Sequence, residues 1–159
     1  MKGALEMLRF RIGASAVLLS QTKQLWITGG ISEDSSEFFT VDNHHLPGPK
    51  LPRIIYGHSM TEVDTNYIYI IGGNNYCGSQ RDTLIIDDTN RFDMKPGPSL
   101  IDARSYHTSN KMKIEGRLFL VVVGGVSEPD ASGKTYTLDT VELLDTTFPN
   151  NGWMLGKHI

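Results

Sequence analysis

Apolar positions in this chain fall in short runs broken by polar turns, and three of the runs lead into a glycine pair. They are Leu25-Trp26-Ile27-Thr28-Gly29-Gly30, Ile68-Tyr69-Ile70-Ile71-Gly72-Gly73 and Leu120-Val121-Val122-Val123-Gly124-Gly125. The pairs lie 43 and then 52 residues apart, and self-similarity at a period of about 40 to 50 residues marks a repeat architecture. Runs of β-branched and aromatic residues without polar alternation predict strands buried on both faces. The glycines remove Cβ atoms where the backbone must turn sharply or lie against a neighbour. An all-β array is expected.

The same order of elements repeats around each run. In the first unit Ser15 to Leu19 predicts a strand, Ser20 to Lys23 a turn and Gln24 to Thr28 the buried strand; Glu37 to Asp42 is a third strand. Leu46-Pro47-Gly48-Pro49-Lys50-Leu51 closes the unit at a sheet edge, because proline cannot donate to a ladder. The second unit runs through His58 to Val63, Tyr67 to Ile71 and Thr83 to Asp87, then Phe92 and Lys95-Pro96-Gly97-Pro98-Ser99-Leu100. The two exits lie 49 residues apart, a second measure of the period. The third unit has His107 to Met112, a turn at Glu115-Gly116, Leu118 to Val123, a long loop from Val126 to Thr137, Tyr136 to Val141 as strand, Thr140 to Asp145, and Trp153. Four short strands per unit make a sheet that cannot bury both faces alone, so the units must stack. Their approximate bounds are 9–52, 53–103 and 104–157.

Composition narrows the function classes. The chain has 159 residues and a net charge of −3, which does not draw nucleic acid or an anionic membrane toward it as a whole. Its single cysteine, Cys77, excludes an internal disulfide and fits a reducing compartment, so a cytoplasmic location is expected. No apolar run approaches the roughly 18 to 20 residues needed to span a bilayer. Lys2, Arg9 and Arg11 before Ile12 to Leu19 imitate a short signal sequence, but those residues are better assigned to the first strand.

The assembled residues resemble the kelch repeat: a glycine pair after four hydrophobic positions, a strand ending in Asp, a later aromatic, and Arg before a small-His-Ser/Thr segment. Arg104-Ser105-Tyr106-His107-Thr108 and Tyr56-Gly57-His58-Ser59 carry the last element, and Arg11-Ile12-Gly13-Ala14-Ser15 carries it with Ala14 for His. Val41, Ile86 and Leu144 stand where a Tyr is usual. The later Trp is kept as Trp153, is Phe92 in the second unit, and is lacking in the first at Asn43. Arg53 lies two residues from its expected place. The resemblance implies a kelch-type β-propeller section of three four-stranded antiparallel blades. Such propellers usually have about six blades, so the rest would come from a longer protein or from self-association. It implies a protein-interaction module, such as the substrate-recruiting or scaffold part of a longer kelch protein, with a ubiquitin-ligase substrate or a cytoskeletal protein as partner by analogy. The alternative class is a fragment of a carbohydrate-acting or oxidase-type kelch enzyme.

Candidate chemistry is sparse. Gly133-Lys134-Thr135 imitates a phosphate loop, but the first glycine of that motif is replaced by Glu128 and no helix is predicted at the lysine. His44 and His45 are adjacent and point to opposite faces of an extended segment; His58 and His107 occupy equivalent places and are expected to be structural; His158 is isolated. Asp42, Asp87 and Asp145 end the third strand of each unit and are expected to form turns. No metal site, cofactor or catalytic constellation of nucleophile, base and orienting group is expected. By the resemblance, loops between second and third strands and between units share one mouth and bind partner peptides. That mouth would carry Arg53, Tyr56, Asn75, Tyr76 and Arg81, with Arg104, Ser105 and Tyr106. Glu33, Asp34, Glu128 and Asp130 would lie near it.

Overall fold

The computed structural model describes residues 6–42 and 44–156. Lys2, Asn43 and His158, and the last residue of the third unit, lie outside the described residues. The chain is all-β, built on three four-stranded antiparallel sheets. The first comprises β1 (Ser15–Leu18), β2 (Leu25–Thr28), β3 (Ser36–Phe39) and β4 (His45–Pro47), in that order. The second contains β5 (Ser59–Glu62) and β6 (Tyr67–Ile71). A two-stranded ribbon, β7 (Asn74–Asn75) with β8 (Gly78–Ser79), then interrupts it before β9 (Thr83–Asp87) and β10 (Asp93–Pro96) complete it. The third has β11 (Thr108–Ile114), β12 (Arg117–Val123), β13 (Val141–Asp145) and β14 (Met154–Leu155). Among the described residues no helix is long and apolar enough to cross a membrane.

Each sheet closes through the same turn at its exit. Gly48 N donates to Ser36 O, Gly97 N to Thr83 O and Gly156 N to Val141 O. The third of these, after Leu155, is a degenerate copy of the Pro-Gly-Pro exits. Two elements are shorter than expected: β3 stops at Phe39, with Val41 and Asp42 in a turn, and Tyr136 to Thr140 is loop, tied only by a bridge from Thr137 to Val126. The polar stretch there turns back on Asp130 and offers no continuous ladder partner.

The sheets pack face to face with the second in the middle. Trp26 with Val17 and Phe38 of the first sheet meets Met60, Ile68, Ile70 and Ile86 of the second, and Phe92 tilts against both Trp26 and Phe38 at centroid distances of 5.0 and 5.1 Å. On the other side Tyr69 and Ile71 meet Leu120, Val122, Leu144 and Trp153, whose indole donates to Pro98 O at 3.0 Å. Burial of this kind contributes roughly 25 cal/mol per Å² of apolar surface. Of the three strands that lead into a glycine pair, β6 has a sheet packed on each face and is buried from Ile68 to Ile71, while Tyr67 at its start is exposed. In β2, Leu25 and Ile27 are half-buried, and in β12 Val123 is exposed, because the first and third sheets each leave one face open.

Strand β5 contacts both β1 and β11, so the leading strands of the three sheets gather together. That position buries a polar sequence. Ser59 Oγ pairs with His107 Nε2 at 2.8 Å, Thr61 Oγ1 with Ser109 Oγ at 2.6 Å, and Glu62 accepts from Ser20 N and Oγ. Each buried polar group thereby has a partner on the next sheet, which removes most of its desolvation cost.

Candidate functional site

The loops at one end of the sheets meet one another. They are the segments that follow each glycine pair and the segments that lead into β5 and β11. Tyr56 and Asn74 form a reciprocal backbone bridge, as do Ser105 and Val126. Ser79 Oγ reaches Ser105 Oγ at 2.9 Å and Val126 O at 3.0 Å, which locks the β7–β8 ribbon onto the third unit. The ribbon itself turns on Asn75, whose Oδ1 accepts from Cys77 N at 2.8 Å, an Asx turn. Gln80 braces it from below by donating to Gly78 O at 2.7 Å.

This frame holds three tyrosines. Tyr76 sits at the ribbon tip, 70% exposed, with its hydroxyl 2.7 Å from Ser32 Oγ of the first unit. Tyr106 is 58% exposed and held at φ 56°, a left-handed conformation that is costly for a bulky side chain. Its ring lies 6.4 Å from that of Tyr56. Gly57 permits this: a Cβ there would stand 3.2 Å from the Tyr106 ring, and Tyr106 N donates to Gly57 O at 2.6 Å. Arg81 and Glu128 pair across the loops at 3.7 Å, both more than half exposed, so both remain free to exchange partners. Cys77 is exposed beside Tyr76.

Arg104 and Ser105 do not belong to this surface. Arg104 is fully buried and Ser105 is 1% exposed. The Arg104 guanidinium turns inward, donating to Glu142 Oε1 at 2.6 Å, Thr140 Oγ1 at 3.0 Å and Gly124 O at 2.8 Å. Glu142 also accepts from Ile101 N and Asp102 N. The first unit repeats the arrangement: Arg11 donates to Glu37 Oε1 at 2.8 Å, to Gly29 O and to Ser35 O, while Glu37 accepts from Leu8 N. Glu37 is held below the ordinary carboxyl range, its hydrogen bonds and the charge of Arg11 outweighing the upward pull of burial. In the second unit the arginine position is Ile55 and the glutamate position Leu84, both buried in the core. The motif arginine was therefore not displaced to Arg53 but replaced. Arg53 is partly exposed and pairs with Asp82 Oδ2 at 2.8 Å.

The remaining acids and histidines hold structure. Asp87 Oδ1 accepts from Thr89 N and Oγ1, and Asp145 Oδ1 accepts from Thr147 N, so both strand-end acids form turns. Asp145 also pairs with Arg117. His58 Nε2 lies 2.8 Å from Thr28 Oγ1, whose hydroxyl donates to Met60 Sδ; the histidine Nε2 is therefore the donor. Burial first, then the neighbouring His107, pushes its pKa down to about 3. Burial and then Arg104 push His107 down to about 4. His45 Nδ1 is 3.2 Å from Glu37 Oε2. Asp130 binds Ser132 N and Oγ, Lys134 N and Tyr136 Oη, which makes Gly133-Lys134-Thr135 a turn wrapped on a carboxylate, closed to phosphate. Asp34 pairs with Lys50 and Glu33 with Arg9. Among the described residues no three His, Cys, Asp or Glu side chains converge.

Set against models of protein families and against curated proteins, the chain matches none.

Proposed function

We propose that this chain is a section of a kelch-type β-propeller that binds an extended segment of a partner protein across Tyr56, Tyr76 and Tyr106. Two features support the propeller form: equivalent sheets related by the same face-to-face contacts, and leading strands β1, β5 and β11 that gather at one side. The observation that carries the binding role is Tyr106. A bulky aromatic in a left-handed conformation, more than half in water, gains no core packing to offset its strain. Such strain persists where the side chain is needed at a surface. Tyrosine gives large contact area for little conformational entropy and is enriched among the residues that dominate binding energy. Arg81 and Glu128 supply exchangeable charges at the rim, and Asn75 an amide beside the ribbon tip.

The test is selection of peptides from a displayed random library, followed by affinity measurement with variants. Tyr76→Ala and Tyr106→Ala are each expected to weaken the selected peptides about tenfold or more, while Lys113→Ala, on the exposed length of β11, leaves them unchanged. Peptides indifferent to both tyrosines, or no enrichment at all, would place the binding surface elsewhere.

A further inference from the structure

The contacts between sheets are made twice in the chain, and the first and third sheets carry the two unused halves of a third. Gly30 N donates to Ile55 O of the second sheet's leading segment at 2.9 Å, and Gly73 N donates to Arg104 O of the third's at 2.8 Å. The equivalent donor of the third unit is Gly125 N, and the equivalent acceptor of the first is Arg11 O. A second bond repeats likewise: Gly57 N to Gly13 O at 2.7 Å, then Tyr106 N to Gly57 O at 2.6 Å. Its unused halves are Gly13 N and Tyr106 O. None of these four groups makes a backbone hydrogen bond among the described residues.

The side chains follow the same rule. Ile68, Ile70 and Ile86 of the second sheet are at most 1% exposed against the first sheet, and Leu120, Val122 and Leu144 of the third are fully buried against the second. Register places Leu25, Ile27 and Phe39 at those positions in the first sheet, where they are only half-buried, beside Leu18 at 58% exposure. On the opposite face, Trp26 and Thr28, then Tyr69 and Ile71, are covered by the following sheet. Their counterparts Val121 and Val123 instead line an open hollow of about 830 Å³ with Met112, Ile114, Val141 and Leu143. Gly29 and Gly72 press on carbonyls of the next sheet, at 2.3 and 2.6 Å from an added Cβ, whereas Gly124 has nothing nearer than 3.4 Å.

We infer that the open face of the third sheet receives the open face of the first sheet from a second copy of this chain, so that two copies close one six-sheet ring. Continuity with the existing interface selects the occupant: what fits Val121 and Val123 is a face built like that of the second and third sheets, and the first sheet carries one. A head-to-tail contact of this kind either closes or runs on as a filament. Closed arrays of such sheets hold about four to eight members, which two copies of three satisfy and three copies exceed. This inference rests on the propeller reading above and adds the partner that completes it.

The repeat also specifies a chemical ruler. Thr61 and Ser109 touch across the second and third sheets, and their counterparts across the inferred contact are Asn110 of one copy and Ala16 of the other, both exposed. In a Cys77→Ser background, Ala16→Cys with Asn110→Cys is expected to form a covalent dimer on mild oxidation, because oxygens in contact imply Cβ atoms near the spacing a disulfide requires. The unmodified chain is expected to elute at twice the chain mass by light scattering, and Val121→Asp at once the chain mass with unchanged far-UV circular dichroism. A chain that is monomeric at high concentration, melts cooperatively and fails to cross-link overturns the inference. That result leaves peptide binding at the tyrosines intact, so the two readings fail separately. A dimer that survives Val121→Asp and does not cross-link overturns it as well, since the copies then meet through another surface.

Discussion

Acidification should weaken this fold through two buried histidines. His58 and His107 each hold a hydroxyl of a neighbouring sheet through Nε2, while Nδ1 lies buried with no partner. Protonation would place a charge in that unpartnered site. The folded pKa values of about 3 and about 4 lie below the value near 6.5 of an unfolded histidine. Between those limits the unfolded chain binds more protons than the folded one, so stability is complete above about pH 6.5 and falls as pH is lowered. Each histidine loses about 1.4 kcal/mol per pH unit below its unfolded pKa. From about pH 7.5 to about pH 5 the loss is roughly 2 kcal/mol apiece and roughly 4 kcal/mol together, against a whole-domain stability of about 5 to 15 kcal/mol. The carboxyls with lowered values, Glu37, Asp87 and Asp130, release their contribution only below the ordinary carboxyl range, outside this window. Urea unfolding at the two pH values, followed by fluorescence of the buried Trp26 and Trp153, measures the difference directly. In His58→Gln with His107→Gln the amides keep a donor for Thr28 and Ser59 but cannot titrate. The double variant should lose under about 1 kcal/mol over the same interval. Equal losses in both proteins would refute the assignment.

Other perturbations separate the terms that hold the units together. Arg104→Met leaves the buried Glu142 carboxyl without its counterion and with only its two backbone donors, and should cost about 3 to 5 kcal/mol, whereas Arg104→Ile with Glu142→Leu copies Ile55 and Leu84 of the second unit and should recover most of it, read by urea unfolding. Gly29→Ala places a Cβ 2.3 Å from Ile55 O. It should lower the unfolding free energy by at least about 2 kcal/mol more than Gly133→Ala, which meets no neighbour and carries only left-handed strain of about 1 kcal/mol. Trp153→Phe removes the bond to Pro98 O and should cost about 1 kcal/mol while leaving the far-UV spectrum unchanged.

The strands that sequence patterning located best are those whose burial is local. Strands β6 and β9 have the bounds that the apolar runs of Tyr67 to Ile71 and Thr83 to Asp87 predict, since the hydrophobic pattern and the turn residues agree there. Strand β5 was found but not its environment. Ser59-Met60-Thr61-Glu62 has the composition of a surface strand and is wholly buried, because its partners Ser20, His107 and Ser109 come from other units. The expected surface shows the same limit. Tyr76 and Tyr106 lie where inter-strand loops would put them, but Arg104 turns inward to a glutamate 38 residues further on, a pairing that no local pattern announces. Ser32, which anchors the Tyr76 hydroxyl from a tight corner at φ 64°, carries no local sequence signal for that role, because its partner lies 44 residues further on. The sequence Asn74-Asn75-Tyr76-Cys77-Gly78 did contain the signal for the β7–β8 ribbon, an Asx turn closed by glycine.

The alternation of Arg11 with Glu37, Ile55 with Leu84, and Arg104 with Glu142 bears on how look-alike units avoid trading strands while the chain folds. Tandem repeats are prone to misassembly, because a third strand from one unit can dock on the second strand of another. Here an exchange between adjacent units would leave Arg11 facing Leu84, or Glu142 facing Ile55, an ion buried without its counterion. Such mispairing costs several kcal/mol, while the correct match gives each buried ion its counterion. Neighbouring units thus carry different locks at the same address, and the one exchange that keeps a matched pair joins the first unit with the third, the two farthest apart along the chain.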